Sequence, residues 1–256
     1  MKNHNQLLYK MVLTAIFSAL CFVGVYIKIQ LPVGMIHLGN FICIMASLLC
    51  GGMIGGISGA LGMGISDIIY YGGFSVGVLR TLILKFGMGV IVGVAFRLFY
   101  KRKWNPRILN SICMVVFLVL FGLSIFGCAV GGMDMMGKHI NIHFTIPIFL
   151  GLVTLLFVLV LIFDHKLNTI SKIALSATSF GIIFNIFGEI YIKALLYYWI
   201  DSKYTSFDGA YAYAISGIPS LAITSAITCL LSAFIFYPLF NATKNYMNFN
   251  LINEEE

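Results

Sequence analysis

The sequence predicts an all-α fold, a polytopic membrane helix bundle of eight transmembrane helices. Three observations predict it. Hydrophobic residues make up 60% of the 256 residues and charged residues only 10%, where a soluble domain carries roughly a quarter charged residues. Mean hydropathy is +0.99. The apolar residues also fall in runs long enough to cross a hydrocarbon core, which takes about 20 helical residues.

The expected spans are 7–29, 36–49, 53–70, 78–99, 108–130, 146–163, 173–199 and 214–240. The first follows Lys2 and Lys10 and is long enough to span. No small-residue cleavage site follows it, so it reads as an uncleaved helix and not as a signal peptide. Ser18-Ala-Leu-Cys21 does not make a lipoprotein box, because Leu20 is too bulky for the position before the cysteine. Ala15 and Ala19 form a small-xxx-small pair on this helix. The second span is short and runs into a glycine-dense third span. There Gly52, Gly56, Ala60 and Gly64 recur every four residues, as do Gly51, Gly55 and Gly59. Small residues at that spacing make flat faces that let backbones approach closely. Short or interrupted apolar segments also point to binding sites in transporters.

Asp67 ends the third span, and Arg80, Thr81 and Lys85 open the fourth, with Thr81 and Lys85 on one helical face. A basic cluster, Lys101-Arg-Lys103 and Arg107, follows. The fifth and sixth spans carry no embedded charge and read as a structural hairpin over 108–165. The seventh holds Glu189 and Lys193 at i,i+4, the favourable order for an internal pair. Tyr191, Tyr197 and Tyr198 beside them suit either a pocket wall or an interfacial belt.

Lys and Arg positions set the orientation. With the N-terminus inside, ten basic residues, including the cluster after the fourth span, fall on the cytoplasmic face, against Lys28, Lys138 and Lys203 outside. Both termini are then cytoplasmic, in a multi-pass protein of the cell membrane. The formal charge of +7 is a topology signal and excludes no weak attraction to lipid headgroups. It does not point to nucleic acid.

Enzyme signatures are weak. Gly56-Ile-Ser-Gly59 matches a G-x-S-G pattern, but a serine nucleophile needs a nearby base, and no histidine falls in a later span. His139 and His143 beside Asp134 have poor spacing for a metal site. No zinc-protease or phosphate-loop motif occurs, so any ATP is used by another polypeptide and no cofactor is expected in this chain. The six cysteines lie in or at the ends of apolar spans and read as packing residues.

Charges at the centre of a bilayer cost at least a few kcal/mol, so they usually face a cavity or a partner. Asp67, Arg80, Lys85, Glu189 and Lys193 all fall in outer half-spans and predict a pocket open to the outside for a small solute. Structural pairing of Asp67 with Arg80 or Lys85 is an equal alternative. Arg80 and Lys85 favour a weakly acidic solute over a cation.

His37-Leu-Gly-Asn40, Leu48-Leu-Cys-Gly51, Gly55 to Gly62 with Asp67, and Thr81-Leu-Ile-Leu-Lys85 with Gly89 resemble the substrate-binding S components of energy-coupling factor (ECF) vitamin transporters, in the riboflavin-type branch. The match covers roughly the first hundred residues. It continues weakly at Phe187-Gly-Glu-Ile-Tyr191 and Gly217-Ile-Pro219. The resemblance implies a vitamin or vitamin precursor bound near the outer face. It implies as partners a transmembrane coupling subunit and two ATPase subunits. It implies a ligand-covering loop at 30–37, and Ala15 and Ala19 as the docking face for the coupling subunit. It also implies a six-helix core, here 7–103 and 170–242, which leaves 108–165 as an inserted hairpin. The segment Ser220-Leu-Ala-Ile-Thr224 lacks the Asn or Gln often found there, so the solute does not follow from the family name. The expected substrate-binding residues are His37, Asn40, Asp67, Arg80, Thr81, Lys85, Glu189 and Lys193. The rival expectation is a stand-alone proton-coupled secondary transporter using Asp67 or Glu189.

Overall fold

The computed structural model describes residues 2–31, 34–131, 133–135, 138–140, 145–162, 167–201, 204 and 206–243. Helix α1 (Lys2–Tyr26) leads into an antiparallel hairpin of β1 (Lys28–Leu31) and β2 (Gly34–His37), in which Lys28 pairs with His37. Then come α2 (Gly39–Cys50), α3 (Gly52–Tyr71), α4 (Val76–Lys101) and α5 (Pro106–Ala129). A second hairpin, β3 (Met133–Met135) and β4 (Lys138–Ile140), precedes α6 (Thr145–Ile162). The chain closes with α7 (Thr169–Trp199), α8 (Phe207–Ser216) and α9 (Ile218–Thr243). His143, Lys166, Lys203 and Lys244 lie outside the described residues.

Helix ends follow local chemistry. Gly51, at φ 96°, joins α2 to α3, and Gly72, left-handed at φ 70°, closes α3, conformations that glycine adopts without a Cβ clash. Ser75, Asn105, Asn168 and Ser206 cap α4, α5, α7 and α8 by accepting backbone N–H groups. Pro106 opens α5, where its missing N–H costs nothing.

Among the described residues, six helical stretches are long and apolar enough to cross a membrane: Gln6–Tyr26, Gly52–Tyr71, Val76–Lys101, Pro106–Ala129, Thr169–Trp199 and Ile223–Thr243. Six spans are thus supported by length and composition, and the expected count of eight is not confirmed. Helix α2 has 12 residues, about 18 Å at 1.5 Å per residue, against a core of about 30 Å. Leu150–Ile162 of α6 is likewise one of the shorter apolar stretches. The expected last span also merges two elements, since Gly217 separates α8 from α9.

Helix α3 sits at the centre because its glycines face three neighbours. A Cβ on Gly56 would lie 2.7 Å from the Phe86 carbonyl oxygen of α4, and one on Gly52 would lie 2.7 Å from that of Val90. Gly55 and Gly59 abut Ser47 and Cys43 of α2, and Gly62 abuts Ser18 and Cys21 of α1. Ser58 is buried here and donates to the Thr14 carbonyl at 3.1 Å, a packing role and not that of a nucleophile.

Helix α7 lies antiparallel against α4, with Gly181 at Met88 and Val92 and Gly188 at Leu84. Helices α5 and α6 meet through the Phe117 and Phe157 rings, 5.6 Å apart. They attach to α7 through Asn110, which donates to the Lys172 carbonyl (3.3 Å) and accepts from Ser176 (2.9 Å). The two tryptophans mark opposite ends of the bundle. Trp104 stacks on Phe99 beside the basic cluster, while Trp199, at the end of α7, is 72% exposed.

Candidate functional site

A cavity of about 390 Å³ opens at the end of the bundle that carries the β1–β2 hairpin. Its wall comes from the C-terminal ends of α1, α3 and α7, the N-terminal ends of α2, α4 and α9, and the end of α8. No described residue of α5 or α6 lines it. All eight residues expected to bind a solute line it: His37, Asn40, Asp67, Arg80, Thr81, Lys85, Glu189 and Lys193.

Their pairing differs from expectation. Arg80 Nη1 lies 3.5 Å from Glu189 Oε2, so the facing helix supplies the partner. Arg80 also donates through Nη2 to Thr81 Oγ1 (3.3 Å), and Thr81 in turn donates to Asp67 Oδ2. One guanidinium thus ties α4 to α7 directly and to α3 through a hydroxyl. The expected Asp67–Arg80 or Asp67–Lys85 ion pair does not form, because Thr81 stands between. The expected Glu189–Lys193 pair is replaced as well. An i,i+4 pair contributes only about 0.2–0.5 kcal/mol, and Glu189 turns to Arg80 instead.

Lys85 is buried and donates to Asn185 Oδ1 at 2.9 Å. Lys193 is buried too, and its Nζ sits 4.2 Å above the centre of the Tyr213 ring. Asn185, Glu189 and Lys193 form an i, i+4, i+8 stripe on α7, which places the Arg80–Glu189 pair between Lys85 below and Lys193 above. Two polar atoms in the site lack a hydrogen-bond partner, Asn40 Oδ1 and Arg80 Nε. Unpaired buried polar atoms cost about 1–3 kcal/mol each, and a bound solute would satisfy them.

His37 ends the hairpin and accepts the Gly39 N–H through Nδ1 at 3.2 Å. Burial first, then the positive charges of Lys85 and Lys28, push its pKa from 6.5 down to about 4. The imidazole is therefore neutral at pH 7 and Nε2 carries the proton. Protonating Nδ1 would set two N–H groups against each other. Because the folded value is depressed, the unfolded chain takes up the proton first as pH falls. The stability His37 contributes is fully present above about pH 6.5 and is lost toward pH 4. Thermal unfolding of His37→Gln is expected to fall less steeply over that window than wild type. Parallel slopes would contradict it.

Residues missed from the sequence include Tyr26, Tyr70, Tyr71 and Thr224, which line the cavity, and Asn185, which accepts from Lys85. Asn185 was visible as the lower end of the α7 stripe. Tyr191, Tyr197 and Tyr198 do not line the cavity: Tyr197 packs on Tyr213 at 5.3 Å, while Tyr191 and Tyr198 are exposed. Among the described residues no group of three or more His, Cys, Asp or Glu side chains could hold a metal ion.

A family model described as "ECF-type riboflavin transporter, S component" matches residues 5–162. The matched stretch runs through both helices of the α5–α6 hairpin and stops before α7. No curated protein and no solved structure matches the chain.

Proposed function

The chain belongs to the S-component family of ECF-type riboflavin transporters, and from that premise we propose that it captures a vitamin or vitamin precursor at the outer face for ATP-driven import. Membership makes it a transporter's substrate-binding subunit and not an enzyme. The observation that carries the proposal is the cavity, where polar side chains from α2, α3, α4 and α7 converge in an otherwise apolar bundle. Helix α4 runs from Arg80 in that cavity to Lys101 in the basic cluster, about 30 Å at 1.5 Å per residue. The positive-inside rule puts the basic end in the cytoplasm and the cavity outside.

Energy then comes from partners, a transmembrane coupling subunit and two ATPase subunits. Ala15 and Ala19 are exposed on α1, away from the face that meets α3 through Ser18 and Cys21. Replacing both with leucine is expected to prevent co-purification with the coupling subunit while leaving the thermal midpoint unchanged. An intact complex would remove this face from docking.

Mass spectrometry of small molecules retained by gently purified protein is the direct test. A vitamin-like compound is expected, and it should be absent from protein lacking the cavity charges. Uptake by proteoliposomes holding this chain alone, driven by a proton gradient, would overturn the assignment in favour of a secondary transporter. Strict dependence on ATP and the partner subunits would support it.

A further inference from the structure

Helices α4 and α5 are joined by only four residues, Arg102 to Asn105, yet they do not lie side by side. Consecutive helices on so short a connection are usually packed neighbours. Here α5 packs on α6 and α7 and barely meets α4, while α7 packs on both α4 and α5. A groove is left between α4 and α5, with α7 as its floor. One residue marks it. From Ser171 to Ile182 every residue of α7 is buried except Phe180, which is 43% exposed. Its ring lies 5.6 Å from that of Phe99 on α4. Ser176, one turn before it, donates to Asn110 on α5. Phe180 thus looks out between the two helices, where a membrane supplies hydrocarbon.

The turn above the groove is basic and fixed. Helix α4 closes with the Lys103 N–H on the Tyr100 carbonyl and the Trp104 N–H on the Phe99 carbonyl, both at 3.2 Å. The Trp104 and Phe99 rings stack at 5.4 Å, so Trp104, Phe99 and Phe180 form an aromatic ladder from the turn into the groove. The closure puts Lys103 at φ 50°, the left-handed position where glycine is usual. A lysine is held there at a conformational cost, beside Arg102 and Arg107. All three are exposed, and none forms an ion pair among the described residues. The described carboxylates, Asp67, Asp134, Glu189, Asp201 and Asp208, all lie toward the cavity end. No described residue at the basic end supplies a counter-charge.

We propose that the α4–α5 turn and the groove beneath it hold one anionic phospholipid. Its phosphate sits among Arg102, Lys103 and Arg107, and an acyl chain runs past Phe99 to Phe180. The phosphodiester brings the missing negative charge, and guanidinium groups bind it through paired N–H bonds. The positive-inside rule puts this end at the cytoplasmic leaflet, whose surface is anionic. A diacyl lipid uses both turn and groove, whereas a soluble phosphate uses the turn alone. The site is separate from the solute cavity and does not rest on the S-component reading.

Trp104 is the reporter. With two tryptophans in the chain, Trp199→Phe leaves it as the one indole of the full-length protein. That protein is reconstituted in phosphatidylcholine bilayers. Phosphatidylglycerol or phosphatidylcholine with brominated acyl chains, which quench indole on contact, is then titrated in. Each cation at the surface contributes roughly five-fold in affinity, so the anionic lipid is expected to quench at a mole fraction about ten-fold lower or less. Glutamine at Arg102, Lys103 and Arg107 together should erase that preference. If this variant does not fold, Lys103→Gln and Arg107→Gln are read singly, each weakening it roughly five-fold. Equal quenching by the two lipids, or a preference that survives these substitutions, overturns the proposal. Glycerol 3-phosphate carries the charge without the chains. If it relieves quenching as well as unbrominated phosphatidylglycerol does, the groove plays no part and the proposal fails. Quenching preserved in the transporter assembled with its partner subunits supports the lipid site. Loss of quenching there would assign this face to a partner protein and overturn it.

Discussion

Replacing Gly89 with leucine is expected to abolish the folded protein. A Cβ at Gly89 would lie 2.5 Å from both Cα and N of Gly56. Those are backbone atoms and cannot rotate aside. Helix α3 cannot retreat either, because Gly55 and Gly59 hold it against α2 and Gly62 holds it against α1. Overpacking of this kind costs about 3 kcal/mol or more, a large share of the stability of a protein this size. Loss of the monodisperse peak in size-exclusion chromatography checks it. Gly122→Leu is the control, since an added Cβ there meets nothing within 4 Å. Equal behaviour of the two variants would show that the α3–α4 approach does not hold the bundle.

The second large effect is expected at Arg80. It is the one guanidinium joining Glu189 and, through Thr81, Asp67. Arg80→Met should destabilise the protein by about 2 kcal/mol, since Glu189 is left in the wall without its cation. It should also lower retention of the co-purified solute by about 100-fold, equivalent to two bonds to a charged group at 1.4 kcal/mol per ten-fold. Glu189→Gln added to Arg80→Met is expected to recover most of the stability and none of the binding. Stability is read from the thermal midpoint and binding from mass spectrometry. Additive losses in the double variant would mean that the two side chains do not act as a pair.

Much of this site was legible because ionisable residues are rare in membrane spans. The five residues picked on that ground, Asp67, Arg80, Lys85, Glu189 and Lys193, line the same cavity as His37, Asn40 and Thr81. Their partners were not legible. Choosing Glu189 over Asp67 for Arg80 depends on how α7 is rotated against α4. That is fixed by Gly181 and Gly188 meeting Val92 and Leu84, contacts about a hundred residues apart in sequence. The break at Gly217 was hidden for another reason. Apolar residues continue across it, so hydropathy does not register a one-residue break between two helices. Helix α2 was overcounted as a span because Gly51 ends it after 12 residues, while hydropathy runs on into α3. Glycine spacing, by contrast, was a sound guide to close helix contact.

The positions of the two tryptophans give the protein a built-in orientation label. Trp199 lies at the end of α7 near the cavity, and Trp104 beside the basic cluster. In sealed vesicles, an impermeant quencher such as iodide, added outside, reaches only the indole on that side. With Trp104→Phe the remaining emission reports the cavity end alone, and with Trp199→Phe the basic end alone. Which emission dims fixes the sidedness of each molecule without any attached dye. The same two signals would reveal a subunit that turns its solute-bearing end toward the interior during the transport cycle.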